Sequence, residues 1–325
     1  MKRWATAIAA ALFLVTAPVH GGSVNESPAD ARIVTEDVDR FWKAWDVAAR
    51  AEDANSRAKA FFNEYYLPAS PGLRDFIDRR IGSVFKLVET IDGMPRYYAS
   101  LREYTPIIRE SAEPAREAFR KFEALYPGAV FPDVYVVIGR ASSGGTTGPS
   151  GLLIGAEMFG GYPDAPLAEL DERGRHGDWL KAVLRPMDQL PHIIAHELVH
   201  YQQADLQDAV TLLEMVYREG SADFVAELIS GRHINHKVHD WALPREREIW
   251  QRFAPVMESR ELHGFLYNRD VPEGWPADTG YFIGYRIAEA YYDQAEDKRQ
   301  ALADILTTTD VKALLEKSGY AQRFK

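Results

Sequence analysis

The chain has 325 residues, 46% hydrophobic and 26% charged, which excludes a long disordered or fibrous protein and leaves ample material for a buried core. Its 48 Asp and Glu against 38 Lys and Arg give a net charge of −10, arguing against nucleic acid or an anionic membrane as a partner, because those need clustered cations. Cysteine is absent, so disulfides, thiolate metal sites and thiol nucleophiles are excluded, and any metal must be held by His and carboxylates.

Residues Met1–Gly22 read as an export signal. Lys2 and Arg3 precede the apolar run Trp4–Ala17, and Val19-His20-Gly21 leads to a cut near Gly22. The run is shorter than the ~20 residues that span a bilayer, and no cysteine follows it to carry a lipid. The expectation is a periplasmic or secreted protein without stable membrane insertion. Residues 23–130 are expected to be helical. Val38, Phe41, Trp42, Trp45, Ala48 and Ala49 recur at three- and four-residue spacing, and Ala118, Phe119, Phe122, Leu125 and Tyr126 repeat the pattern before Pro127-Gly128 ends it. Phe61, Phe62, Tyr65, Tyr66, Tyr97 and Tyr98 read as core rather than as a ligand cleft.

From 131 to 325 the character changes. Val134–Ile138 is a β-branched and aromatic run that predicts a buried strand, and Leu152–Ala156 predicts a second. Ser142–Gly151 between them lacks the Lys-Ser/Thr ending of a phosphate loop and leads into a strand, so it reads as a flexible hairpin connection. The expected class is α+β, mostly helical, with a small sheet preceding a metal-binding helix.

That helix carries the chemistry: Pro191-His192-Ile193-Ile194-Ala195-His196-Glu197-Leu198-Val199-His200. Pro191 suits a first helical turn. His196 and His200 are four apart, so both imidazoles leave one helix face and can reach one ion at ~2.0–2.1 Å. Glu197 lies beside the pair, where a carboxylate can accept a proton from a metal-bound water. The apolar residues around the pair predict burial, and two buried imidazoles without a ligand would be costly. The third ligand is not a metzincin His, because Gln203 and Leu206 stand where that pattern needs Gly and His. The next helix, opened by a capping box of Thr211 and Glu214, offers Glu219. If Glu219 binds the ion, Asp223 one turn on can accept the outer N–H of a ligating His. Gly220 between them is costly in a helix interior and is tolerated where another backbone or the metal site packs closely.

His196-Glu197-x-x-His200 followed by Glu219-x-x-x-Asp223 resembles the gluzincin zinc metallopeptidases, the group of thermolysin, and more narrowly its bacterial "predicted Zn-dependent protease" families. Gly280-Tyr281-Phe282-Ile283-Gly284-Tyr285 is similar to a downstream helix of those families, and the resemblance runs from about Val134 to Tyr292. It implies one Zn2+ on His196, His200 and Glu219, with Glu197 as general base and Asp223 behind the ligands. It also implies a sheet edge that pairs with a peptide or protein substrate, for which Leu152–Ala156 is the expected strand. An oxyanion-stabilising donor is expected at Tyr281, with Tyr285 and His263 as alternatives. The reading is therefore an exported zinc metallopeptidase. Two alternatives stand beside it: a zinc-containing, non-catalytic binding or assembly factor of the cell envelope, and a zinc hydrolase of a non-peptide amide or ester. His192 is expected to line the cleft without ligating. His233, His236 and His239 are expected in a solvated loop or a cleft-lining segment, and Glu227 in a salt bridge.

Overall fold

A computed structural model describes residues 24–206, 210–267 and 271–325. The expected export segment, Met1–Gly22, lies outside the described residues. The architecture is the expected one, mostly helical with a small sheet.

Strand β1 (Val24–Asn25) pairs antiparallel with β3 (Phe131–Pro132). The main sheet runs in the order β2 (Ile33–Val34), β4 (Val134–Val137), β6 (Gly151–Gly155), β5 (Gly145–Gly148). β4 lies parallel to both β2 and β6, whereas β5 is antiparallel to β6. β4 and β6 are buried throughout, as unbroken apolar runs covered on both faces should be. This corrects the expected edge. Leu152–Ile154 is interior, and the outer strand is Gly145-Thr146-Thr147-Gly148, which pairs from Gly145↔Ile154 to Gly148↔Gly151. A Gly/Thr segment with no apolar alternation gives no strand signal, but Pro149 and Ser150 fold it back onto a strongly hydrophobic partner.

Helix α1 (Glu36–Ala48) buries Val38, Phe41, Trp42, Ala44 and Ala48, and α2 (Ala112–Leu125) buries Ala115, Ala118, Phe119 and Phe122. Phe61, Tyr65, Tyr97 and Tyr98 are core residues, as expected, while Phe62 is half exposed. The three tyrosines, on the helical segments Phe62–Tyr66 and Pro95–Ser100, fasten those segments to the chain just beyond β4 and β6. Their hydroxyls donate to the carbonyls of Ile138 (2.7 Å), Glu157 (2.6 Å) and Gly139 (2.8 Å), respectively.

The remaining helices position the candidate site. They are α3 (Leu190–Gln202), α4 (Leu212–Ser230), α5 (His236–Ala242) and α6 (Thr279–Gln294). Pro191 sits in the first turn of α3. The capping box of α4 forms as the sequence predicts, with the Glu214 carboxylate accepting from Thr211 N and the Thr211 hydroxyl from Glu214 N. Gly220 has the role expected of it. A Cβ there would lie 2.2 Å from Tyr285 N and 2.4 Å from Tyr281 O, and one at Gly284 would lie 2.0 Å from Val216 O. The two glycines let α4 and α6 cross backbone to backbone. No helix among the described residues is long and apolar enough to cross a membrane.

Candidate metal centre

α3 is buried from Ile193 to Val199, so His196 and Glu197 lie inside the protein while His200, one turn on, reaches the rim. The crossing of α4 brings Glu219 opposite them. His196 Nε2 and His200 Nε2 are 3.0 Å apart, and Glu219 Oε2 lies 3.6 Å and 3.3 Å from them, respectively. The expected ligand set thus converges, from two helices, on one point.

The tautomers follow from the outer neighbours. Gln203 Nε2 donates to Arg218 O (2.8 Å) and Ser221 Oγ (3.0 Å), which turns its Oε1 towards His200 Nδ1 at 2.7 Å. His200 must therefore carry its proton on Nδ1. Asp223 Oδ1 lies 2.9 Å from His196 Nδ1, close enough to share the imidazole proton although the angle departs from a good hydrogen bond. Asn235 Nδ2 donates to the other Asp223 oxygen at 2.6 Å, and Arg185 in turn holds Asn235 Oδ1 at 2.8 Å. Both Nε2 atoms then point lone pairs at each other across 3.0 Å, an arrangement that requires a cation or an extra proton between them.

The electrostatics agree. Burial alone would strip His196 of charge, but Asp223 and Glu219 outweigh it and push its pKa up to about 10. Burial opposes ionisation of Glu219 too, yet the two imidazoles hold its carboxyl well below the usual carboxylate range. Burial raises Glu197 above its ordinary value, offset in part by the same imidazoles. The surrounding carboxylates favour positive charge at this point, and two imidazoles and a carboxylate are a donor set that zinc fits.

Glu197 packs against the sheet edge. A Cβ on Gly145 would lie 2.4 Å from Glu197 Oε1, so the outer strand can pass the centre only with a glycine there. The Tyr281 ring stacks near His196 with centroids 6.2 Å apart. Tyr285 donates instead to Glu227 at 2.5 Å, so Glu227 is a hydrogen-bond acceptor rather than the expected salt-bridge partner. His263 contacts Ser259 Oγ, and His192 contacts Ser230 Oγ at 2.9 Å and takes no part in the ligand set. Of the two expectations for His233, His236 and His239, the solvated loop is corrected. His233 is buried, and His236 and His239 lie on α5. Sequence reasoning missed Gln203, Asn235 and Tyr267, whose hydroxyl donates to Glu219 Oε1 at 3.3 Å. Only Gln203, three residues from His200 on the same helix end, left a local signal.

Fold and site together define an α+β protein built around a buried His-His-Glu cluster, between two helices, that could hold a metal ion. The chain belongs to the family of the gliding motility protein GldB, whose family model matches residues 33–322. No curated protein and no solved structure matches the chain. This membership corrects the gluzincin reading. The family covering most of the chain is a gliding-motility family and not a peptidase family, so the assignments as hydrolase and metalloprotease, and the peptide substrate that came with them, are withdrawn. An i,i+4 imidazole pair facing an acid on a crossing helix suits a metal centre with or without turnover, so the motif by itself does not carry the peptidase assignment.

Proposed function

We propose that this chain is a zinc-containing, non-catalytic binding or assembly factor of the cell envelope, acting with other proteins of a gliding apparatus. Family membership supports the setting. The observation that carries the metal is the pair of Nε2 atoms 3.0 Å apart with a Glu219 oxygen beside them, each imidazole proton being held on the opposite nitrogen by Gln203 or near Asp223. His196, His200 and Glu219 would hold the ion, which supplies a fixed positive charge joining α3 to α4. Asp223 and Gln203 orient the rings, and the buried Glu197 lowers the cost of placing positive charge there. The centre adjoins β5, the outer strand, where backbone groups on one side are unpaired by the sheet. The reading is therefore of a rigid, metal-pinned face presented beside a sheet edge to another envelope protein. The acidic balance and the absence of a long apolar helix among the described residues fit a protein partner better than a bilayer interior. Within these 325 residues no thiol is available to carry a lipid.

The test pairs metal content with motility in the native cell. His200→Ala and Glu219→Ala should each lose tightly held zinc, and cells carrying either variant at normal abundance should spread poorly. Full spreading by a variant shown to be metal-free at this centre would overturn the proposal.

A further inference from the structure

Asp223 has two oxygens, and only one of them faces the first centre. On its far side the chain turns out of α4 at Gly231 and returns through His233 and Asn235 into α5, bringing His239 back over the same carboxylate. We infer that Asp223, His233 and His239 form a second divalent-cation site, separate from the first but sharing Asp223 with it, for a borderline transition ion such as zinc.

One ligand atom from each of the three residues lies within 4.8 Å of those of the other two. The atoms that face each other are acceptors. His233 Nδ1 accepts from the backbone N–H of Asn235 at 3.3 Å, so it carries no proton of its own, and it looks at Asp223 Oδ2 across 3.8 Å. The His233 and His239 rings lie with centroids 4.1 Å apart, and His239 Nε2 is buried without any hydrogen-bond partner. Asp223 Oδ2 accepts from Asn235 Nδ2 at 2.6 Å and His233 Nδ1 has only the long Asn235 N–H contact, whereas His239 Nε2 has no partner, and leaving a buried polar atom unpaired costs about 1–3 kcal/mol. A cation would satisfy His239 Nε2, use a remaining lone pair of the Asp223 carboxylate, and take the place of the long Asn235 N–H contact on His233 Nδ1. Two imidazoles and a carboxylate select zinc and its neighbours over magnesium or calcium, which prefer oxygen. The pocket is braced by Tyr285, whose ring lies edge-on to His239 at 4.7 Å. Arg185, one hydrogen bond away through Asn235, and the cation of the first centre both oppose a further positive charge. The second ion should therefore bind about tenfold or more weakly than the first.

The experiment is a zinc titration of the full chain against a chromophoric chelator, with metal content measured after desalting and folding checked by circular dichroism. Wild type is expected to take up two ions in two resolved steps. His239→Gln, or His233→Asn should the first fold poorly, is expected to lose only the weaker step. His200→Ala should lose the tighter step and keep the other, which separates this site from the first centre: one ion removed by His239→Gln but not by His200→Ala supports the second site even if the first binds nothing. Saturation of wild type at a single ion that His239→Gln leaves in place would overturn the inference, as would unchanged uptake in both His239→Gln and His233→Asn.

Discussion

Replacing Asp223 by Asn changes one atom, and the surrounding bonds dictate the outcome. Asn235 Nδ2 points at Asp223 Oδ2 from 2.6 Å, and Arg185 fixes that orientation by holding Asn235 Oδ1. In Asp223→Asn the new amide must therefore turn its oxygen towards Asn235 and its NH2 towards His196 Nδ1. That donor meets the imidazole N–H which the carboxylate oxygen now faces at 2.9 Å. His196 escapes only by moving its proton to Nε2, the nitrogen that faces His200 and Glu219. The cost is one buried polar contact turned into a conflict, about 1–3 kcal/mol, or roughly 10- to 100-fold in zinc affinity at the first centre. Adding Asn235→Asp reverses the polarity of the pair. The carboxylate introduced at position 235 would accept the new NH2 and pair with Arg185, freeing the amide oxygen at position 223 to accept from His196. The assay is a chelator-competition titration of wild type, Asp223→Asn and the double variant. The expected order is wild type, then the double variant within several-fold of it, then Asp223→Asn. Equal affinity for wild type and the single variant, or a double variant weaker than Asp223→Asn, would refute the orientation argument.

Gly220→Ala should lower stability by about 1–3 kcal/mol or more, read as a fall in Tm, because its Cβ would meet Tyr285 N and Tyr281 O on the backbone of α6, which cannot yield as a side chain would. Zinc affinity at the first centre should strengthen up to about tenfold per pH unit between pH 6.5 and 9, because the ion must displace the proton that His196 retains up to about pH 10; a flat profile would contradict it. The same shift makes the metal-free protein most stable, as far as this group is concerned, below pH 6.5, with that contribution lost as pH rises towards 10 in urea melts. Glu157 is buried between the backbone N–H groups of Gly139 (2.7 Å) and Ala141 (3.0 Å), and burial outweighs both and raises its pKa to about 7. A carboxyl that is neutral in the fold yet ionised in the unfolded chain costs stability as pH rises from about 4.5 to 7, by about 3 kcal/mol in all. Glu157→Gln should flatten that slope.

The parts of this molecule that were legible in the sequence are those written within a few residues of one another. The imidazole pair, the capping box of Thr211 and Glu214, and the burial of α3 are statements about one helix turn, and each formed as expected. Glu219 and Gly220 were legible for a different reason: an acid and an unfavourable glycine adjacent in a helix imply a close neighbour, and α6 supplies it. What the sequence hid is what the chain assembles across distance. The outer strand carries no hydrophobic alternation and exists because Leu152–Ile154 templates it. His233 and His239 looked like a solvated stretch because three-residue steps drift around a helix. Only the turn at Gly231 and the packing of α5 on α6 fold them back onto Asp223. The motif itself misled on activity because His-Glu-x-x-His specifies where two nitrogens point, which is a requirement of metal binding, not of hydrolysis.

The arrangement of charges favours a permanent joint over an exchangeable one. Gln203 links the end of α3 to the Arg218 carbonyl of α4 and, through the same amide, sets the His200 tautomer. Asp223 does the reverse, reaching from α4 to His196 on α3. Each of the two helices is thus oriented by the other, and the close crossing at Gly220 and Gly284 fixes α4 against α6. Without an ion the two lone pairs are opposed at 3.0 Å, which a proton can bridge but which cannot separate without breaking both outer contacts. The metal-free protein should keep the same helix crossing and lose stability rather than shape, by about 3 kcal/mol relative to protein at zinc concentrations a hundredfold above Kd. A scaffold whose face stays constant with or without metal is what the proposed assembly role would require of a partner-facing surface.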